Sequence, residues 1–333
     1  MKSNDSKNHV SVCAVVLGIV AWFVICTVGF SAEPSFDSDA SSANLDTCLG
    51  QFRFQRSGDC RIWSNLYVGG SRLTPSDDDA VIRPNNMGAQ IGIDLEKSHK
   101  VWHTLFYNYN QNYLTANRSF LDPTGAYPFR SSVINTHLIG TGYYIYRAQC
   151  HLGIQGSLGY DHYKINRKNT KATEGNGFQS NIFGEFGLDF IFGRFGVKPF
   201  YALQYDFLYH GDLGKGAKQF QGDWNGHSLV NQVGLRTNWK ATDNMELQLR
   251  TVWLHELLDN PPPFYNNRFS AVRGITTPAV FYYHGNTGRD WAWLGLGLKF
   301  KVFHRAFLFF DYDVTINERH TTHFGNFGIC LSE

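Results

Sequence analysis

From Arg61 onward, the sequence alternates apolar residues with small or polar ones, in one stretch after another. Successive side chains of a β-strand point to opposite faces, so a period of two marks strands with two unlike faces. In 87–95, Met87, Ala89, Ile91, Ile93 and Leu95 share a face, and Gly88, Gln90, Gly92 and Asp94 take the other. In 152–160, Leu152, Ile154, Leu158 and Tyr160 oppose Gly153, Gln155, Ser157 and Gly159. The same pattern recurs in 182–190, 201–207, 245–253, 292–302 and 306–314. Composition narrows the choice. A hydrophobic content of 43% excludes disorder as the main state, and a mean hydropathy of -0.29 excludes a bundle of transmembrane helices. Charged residues are only 17%, against about 25% in ordinary globular chains. A net charge of +2 gives no reason to expect nucleic-acid binding.

A soluble sandwich also alternates, so the connections must decide. The pattern predicts twelve strands, at 61–70, 86–95, 101–110, 132–146, 149–163, 177–191, 196–209, 227–239, 244–256, 290–302, 305–316 and 321–331. Long links at 71–85, 111–131, 164–176, 210–226 and 257–289 alternate with short turns around Lys97, Arg147, Gly193, Ala241 and His304. The last link, near Asn317 to His320, is short where the rhythm expects a long one. Outer-membrane barrels have this rhythm, with tight periplasmic turns and external loops free to grow. The expected fold is therefore all-β: a 12-stranded antiparallel up-and-down transmembrane barrel, whose closure leaves no strand edge for lipid to meet.

On this reading Asp94, Glu185, Asp189, Asp206, Arg236, Glu246, Arg250, Lys299, Lys301, Asp311 and Asp313 point inward and line a wet lumen. Trp102, Trp239, Trp253 and Trp291 fall near strand ends, where an aromatic girdle meets the headgroups. Taken singly, each Trp also fits ordinary core packing.

Residues 1–32 are read as a signal peptide or an uncleaved anchor. Lys2 and Lys7 precede an uncharged run from Val10 to Phe30, with Gly29 and Ser31 as small residues near a cut. Residues 33–60, rich in Ser, Asp and Ala, are read as a linker with a short helical stretch near Leu45 to Phe54. Residues 61–333 form the barrel. Cys13 and Cys26 lie in the apolar run, while Cys48, Cys60, Cys150 and Cys330 are scattered. Cys48 and Cys60 could pair in an oxidising compartment, and no CxxC motif suggests zinc or redox chemistry.

The segment GLRTNWKATDNMELQLRTVWLHE at 234–256 resembles the late-barrel hairpin of the autotransporter β-domain family, with Trp253, His255 and Glu256 matching its strand ending. RDWAWLGLGLKF at 289–300 is similar to that family's next strand, and FLFFDYDV at 307–314 to its strand with a Tyr-Asp pair, here Tyr312 and Asp313. NMGAQIGIDLE at 86–96 resembles its second strand. The resemblance implies a 12-stranded, porin-like barrel with a narrow pore, which the preceding linker could plug. It implies the lipid bilayer and the outer-membrane insertion machinery as partners, and outer-membrane residence after export by the amino-terminal signal. Only 33 to 60 stand where the family carries a large passenger, so a barrel nearly without one is expected. The family usually ends on an aromatic residue that helps the machinery recognise the last strand; this chain ends Ile329, Cys330, Leu331, Ser332, Glu333.

Motifs for chemistry are sparse. Asp161 and His162 are adjacent and so point opposite ways, and His320 and His323 also fall on opposite faces. Ser157, in QGSLG, lacks the first glycine of a nucleophile elbow. His255 and Glu256 read either as an acid–base pair or as residues that pin the strand end, with Arg289 or Asp290 as partners. The expected function is a non-enzymatic, monomeric barrel with no cofactor, metal or nucleic acid, giving limited passage or displaying a short segment. The alternatives are an enzyme or adhesin acting through long external loops, above all 257–289, and a soluble periplasmic β-protein held by the anchor.

Overall fold

Each alternating stretch hydrogen-bonds to the one before it and the one after it, and the last returns to the first. A computed structural model describes residues 62–73, 82–98, 101–116, 129–147, 149–167, 173–210, 224–258, 264–272, 275–283, 290–317 and 320–331. The expected leader at 1–32, the expected linker at 33–60 with the helical stretch read near Leu45 to Phe54, and Cys48 and Cys60 lie outside the described residues.

The wall is built from β1 (Ile62–Leu73), β2 (Ile82–Ser98), β3 (Val101–Ala116), β4 (Phe129–Arg147), β5 (Cys150–Arg167), β6 (Thr173–Leu188), β8 (Phe195–His210), β9 (Trp224–Thr242), β10 (Met245–Glu256), β13 (Asp290–Phe303), β14 (Ala306–Ile316) and β15 (His320–Leu331). Each pairs antiparallel with its neighbour, and β1 pairs with β15, from Ile62 opposite Leu331 to Leu73 opposite His320. A short β7 (Phe190–Phe192) continues β6 beyond a break at Asp189 and pairs with β8. Counting β6 and β7 as one, the barrel has twelve strands and is closed.

Two-residue links at 99–100, 148–149, 193–194, 243–244 and 304–305 mark one end, the tight-turn end, with described turns at 193–194, 243–244 and 304–305. At the turn after β7, Gly193 takes φ 62, a left-handed conformation that a side chain would strain. The connections at the other end are mostly longer. The link 317–319 is short there, as the sequence indicates. The expected loop at 257–289 carries structure of its own: β11 (Phe264–Val272) pairs with β12 (Ile275–Tyr283) as a separate two-stranded sheet.

The two faces of the wall differ as the alternation requires. Leu66, Ile139, Leu158 and Ile182 are each at least 60% exposed, within a set of outward aliphatic and aromatic side chains that runs right round the barrel. Soluble monomers rarely expose an apolar patch larger than a few hundred Å². A continuous apolar wall suits lipid, and closure satisfies the backbone where lipid cannot. Among the described residues, the buried face holds mainly Asn, Gln, Asp, Thr, Arg and other polar side chains.

That face also explains why the chain is rich in both glycine and aromatics. A Cβ added at Gly88 would collide with Tyr67, at Gly92 with Trp63, at Gly140 with Phe106, at Gly153 with Tyr144, at Gly234 with Phe200 and at Gly328 with Phe309. In each pair the two residues stand directly opposite on neighbouring strands. The ring lies over a backbone that only glycine leaves open. Of these rings, Trp63, Phe106, Phe200 and Phe309 join Leu138, Phe183, Val252, Leu254 and Trp293 in a buried apolar cluster between the polar side chains.

Candidate functional site

Among the described side chains, the enclosed face collects most of the charged strand residues, and adjacent strands position them in pairs. Arg250 on β10 is buried. Its Nη2 lies 2.9 Å from Asp311 Oδ1 and 3.0 Å from Asp313 Oδ1, both on β14. β13 lies between, and from it the Trp293 indole N–H donates to Asp313 Oδ1 at 2.9 Å. Gly295 makes room for this contact: a Cβ there would meet Asp313 and Arg250. From β15, Asn326 reaches Asp311 Oδ2 at 3.4 Å. One cation is thus held by two carboxylates across four strands.

A second group sits near the tight-turn end. Glu185 on β6 is buried between Arg236 on β9, which donates to its Oε2, and His151 on β5, whose Nε2 is 3.1 Å from its Oε1. The other His151 nitrogen is 3.4 Å from Asp189 Oδ1, which lies 3.4 Å from Lys198 Nζ. The Arg236 guanidinium stacks 4.0 Å over the Phe200 ring.

The remaining inward acids are held by neutral donors. Thr104 donates to Asp94 at 2.6 Å, and the Trp63 indole N–H lies 3.3 Å from the same oxygen. Asn181 and Gln204 donate to Asp206 at 2.7 and 3.0 Å. Thr136 and Gln179 donate to Asp161 at 2.6 and 3.1 Å. Asn238 donates to Glu246 at 3.2 Å, and Lys299 Nζ lies 4.4 Å over the Phe307 ring. Lys301 shares parity with Lys299 but is exposed beyond it.

The four tryptophans divide. Trp239 and Trp253 point outward and are exposed, Trp239 toward the tight-turn end and Trp253 toward the other. Trp102 has the parity of the buried Thr104 and Phe106, and Trp291 packs against the buried cluster. Both therefore lie on the enclosed face, so the expected girdle position does not apply to them. Sequence reasoning also missed His151 and Asp161 as inward groups, although both share the parity of Gly153, Gln155 and Ser157.

Neither candidate acid–base pair is assembled. Asp161 is inward, while His162 Nδ1 bonds Asn176 on the outside. His255 Nδ1 lies 2.9 Å from Asp290, and Glu256 accepts from the Ser228 hydroxyl and from the backbone N–H groups of Leu229 and Leu258. Both residues of the pair thus fasten the end of β10 to its neighbours. Among the described residues, no group of three or more His, Cys, Asp or Glu is arranged to hold a metal ion.

The autotransporter β-domain family model matches residues 62–313. The translocator domain of autotransporter NalP from Neisseria meningitidis superposes with a TM-score of 0.67 at 13% identity, covering 89% of this chain and 98% of that one. The transport unit of autotransporter AIDA-I from Escherichia coli gives 0.58 at 11% identity, covering 90% and 100%. The β-domain of the Bordetella autotransporter BrkA gives 0.57 at 12% identity, covering 83% and 100%. At these identities the likeness is one of fold. No curated protein matches the chain.

Proposed function

Because the chain belongs to the autotransporter β-domain family and is an outer-membrane β-barrel of that type, we propose that it works without catalysis, by holding a hydrated polar lumen across the membrane. Asp94, Glu185, Asp189, Asp206, Arg236, Glu246, Arg250, Lys299, Asp311 and Asp313 line that lumen. Through it the barrel gives limited passage to small solutes, or it displays a short segment of its own chain. The insertion machinery places it in the bilayer as a monomer.

The observation that carries this reading is the contrast between faces: buried polar and charged side chains inside a wall of exposed aliphatic ones. Gln155, Ser157 and both polar atoms of Asn110 are buried with no hydrogen-bond partner among the described residues. Leaving such groups unsatisfied costs about 1–3 kcal/mol each, so water is their natural partner. The test is single-channel recording of the purified protein in planar bilayers. Small, steady currents are expected, larger in a variant lacking residues 33–60. No current from either form would contradict the lumen.

A second reading rests on β11 and β12, which give the 257–289 connection a sheet of its own. Long external loops on a rigid barrel are where binding surfaces arise, so this hairpin is the element on which an adhesin or loop-based enzyme would act.

A further inference from the structure

The outer surface of the wall repeats one arrangement three times. Between β3 and β4 the Tyr107 hydroxyl lies 2.8 Å from His137 Nδ1. Between β8 and β9 the Tyr205 hydroxyl lies 2.6 Å from His227 Nδ1. Between β14 and β15 the Tyr312 hydroxyl lies 2.8 Å from His323 Nδ1. The register is the same each time: the histidine stands opposite the residue two positions beyond the tyrosine, namely Tyr109, Phe207 or Val314. Ring centroids are 6.3, 6.0 and 6.2 Å apart, with tilts of 36°, 34° and 31°. Counting β6 and β7 as one, the pairs fall on the third and fourth, the seventh and eighth, and the eleventh and twelfth strands. They are thus a third of the circumference apart. His137 and His323 are exposed, and His227 is half-buried. Each pair stands on the loop side of exposed apolar residues: Leu105 and Ile139, Val233 and Leu235, Phe310 and Phe327. The longer connections of an outer-membrane barrel face the cell exterior. The pairs therefore mark the level at which hydrocarbon meets the headgroups of the outer leaflet.

Chemistry fixes the proton in these pairs. A hydroxyl left without an acceptor beside hydrocarbon is costly. Among the described residues, the acceptor within reach of each of the three hydroxyls is Nδ1 alone. Each tyrosine therefore donates to Nδ1, which puts the imidazole hydrogen on Nε2. Nε2–H is then a donor on the outer surface, and no described residue accepts from it. Two other hairpins carry outward histidines of the opposite polarity. Asn176 Oδ1 accepts from the Tyr160 hydroxyl at 2.7 Å, and so also from His162 Nδ1 at 3.0 Å. His255 Nδ1 faces Asp290 Oδ1 at 2.9 Å. In both the hydrogen sits on Nδ1, which leaves Nε2 of a neutral ring an acceptor.

We propose that His137, His227 and His323 bind the phosphate headgroups of outer-leaflet lipids, one lipid to each Tyr–His pair. Nε2–H donates to a phosphate oxygen, and a bond to an ionised acceptor is stronger than one to a neutral group. The exposed apolar residues on the tight-turn side of each pair meet the acyl chains of the same lipid. None of the three histidines bonds to a carboxylate among the described residues, so no fixed negative charge at these pairs repels the phosphate. His255, held by Asp290, lacks that property. The shared register sets the three lipids at fixed, evenly spaced positions round the barrel.

The test is native mass spectrometry of the full-length protein in micelles, titrated with diphosphoryl lipid A or with the same lipid stripped of its phosphates. The wild-type protein should retain the phosphorylated lipid, up to one molecule per pair, and hold it about tenfold tighter than the stripped form. Equal retention of the two would overturn the proposal, and that comparison needs no variant. His137→Phe, His227→Phe and His323→Phe together should abolish the preference. His162→Phe with His255→Phe should leave it intact. Heat-modifiable migration on gels shows that each variant is folded. A folded triple variant that keeps the preference, or a double variant that loses it, would overturn the assignment. Excess inorganic phosphate should not displace the lipid; displacement would make a free anion the ligand and would overturn the lipid site.

Discussion

At the scale of the residue, Arg250 is the side chain on which most depends. Asp311 and Asp313 both rely on it, and all three sit where water access is restricted. Removing one partner of a buried ion group is far more costly than never having the group, because the remaining charge stays buried. Arg250→Met should therefore destabilise the barrel by about 3–5 kcal/mol, read as a lower urea midpoint in micelles. Adding Asp311→Asn and Asp313→Asn to it should recover most of that loss. Parity alone made these three residues legible as inward-facing. Their grouping was not legible, since β13 lies between β10 and β14 and register across three strands is fixed only by the whole sheet. His151, Trp102 and Trp291 already fall within the expected strands 149–163, 101–110 and 290–302, and applying each strand's parity to them places all three on the enclosed face. Proximity to a strand end is a weaker guide to a girdle than the face on which a residue falls.

At the scale of the element, strands and turns were readable because period two and turn residues are local signals. The five tight turns fall within a few residues of their expected centres. Most strands extend further than expected, β2 to 17 residues and β4 to 19, while β10 and β14 start one residue later than expected. About 9–11 tilted residues suffice to cross a bilayer, so the excess adds wall beyond the apolar span. Polar residues there break the alternation that was used to find the strands. β11 and β12 were missed for a related reason: neither FYNNRFSAV at 264–272 nor ITTPAVFYY at 275–283 alternates with a clean period of two. Because the two pair only with each other, they should be dispensable for closure. Replacing residues 259–288 with a short turn should leave the protein in the outer membrane and heat-modifiable on gels. Loss of heat-modifiable migration would mean that the hairpin helps to hold β10 and β13 together.

At the scale of the whole molecule, closure of β1 on β15 turns twelve two-faced strands into an object with one outside and one inside. The outside is apolar, the inside is polar with aromatic rings laid over glycines, and the backbone has no open edge. A soluble β-protein held by an anchor would place its aliphatic side chains the other way, pressed together in a dry centre. The measurement that separates these most directly is a spin-label scan along β5 in reconstituted bilayers. Labels at Leu152→Cys, Ile154→Cys and Leu158→Cys should be reached by oxygen from the lipid phase. Labels at Gln155→Cys and Ser157→Cys should be reached instead by a water-soluble nickel chelate. Uniform accessibility along the strand, or the opposite phase, would contradict a membrane barrel with a wet interior.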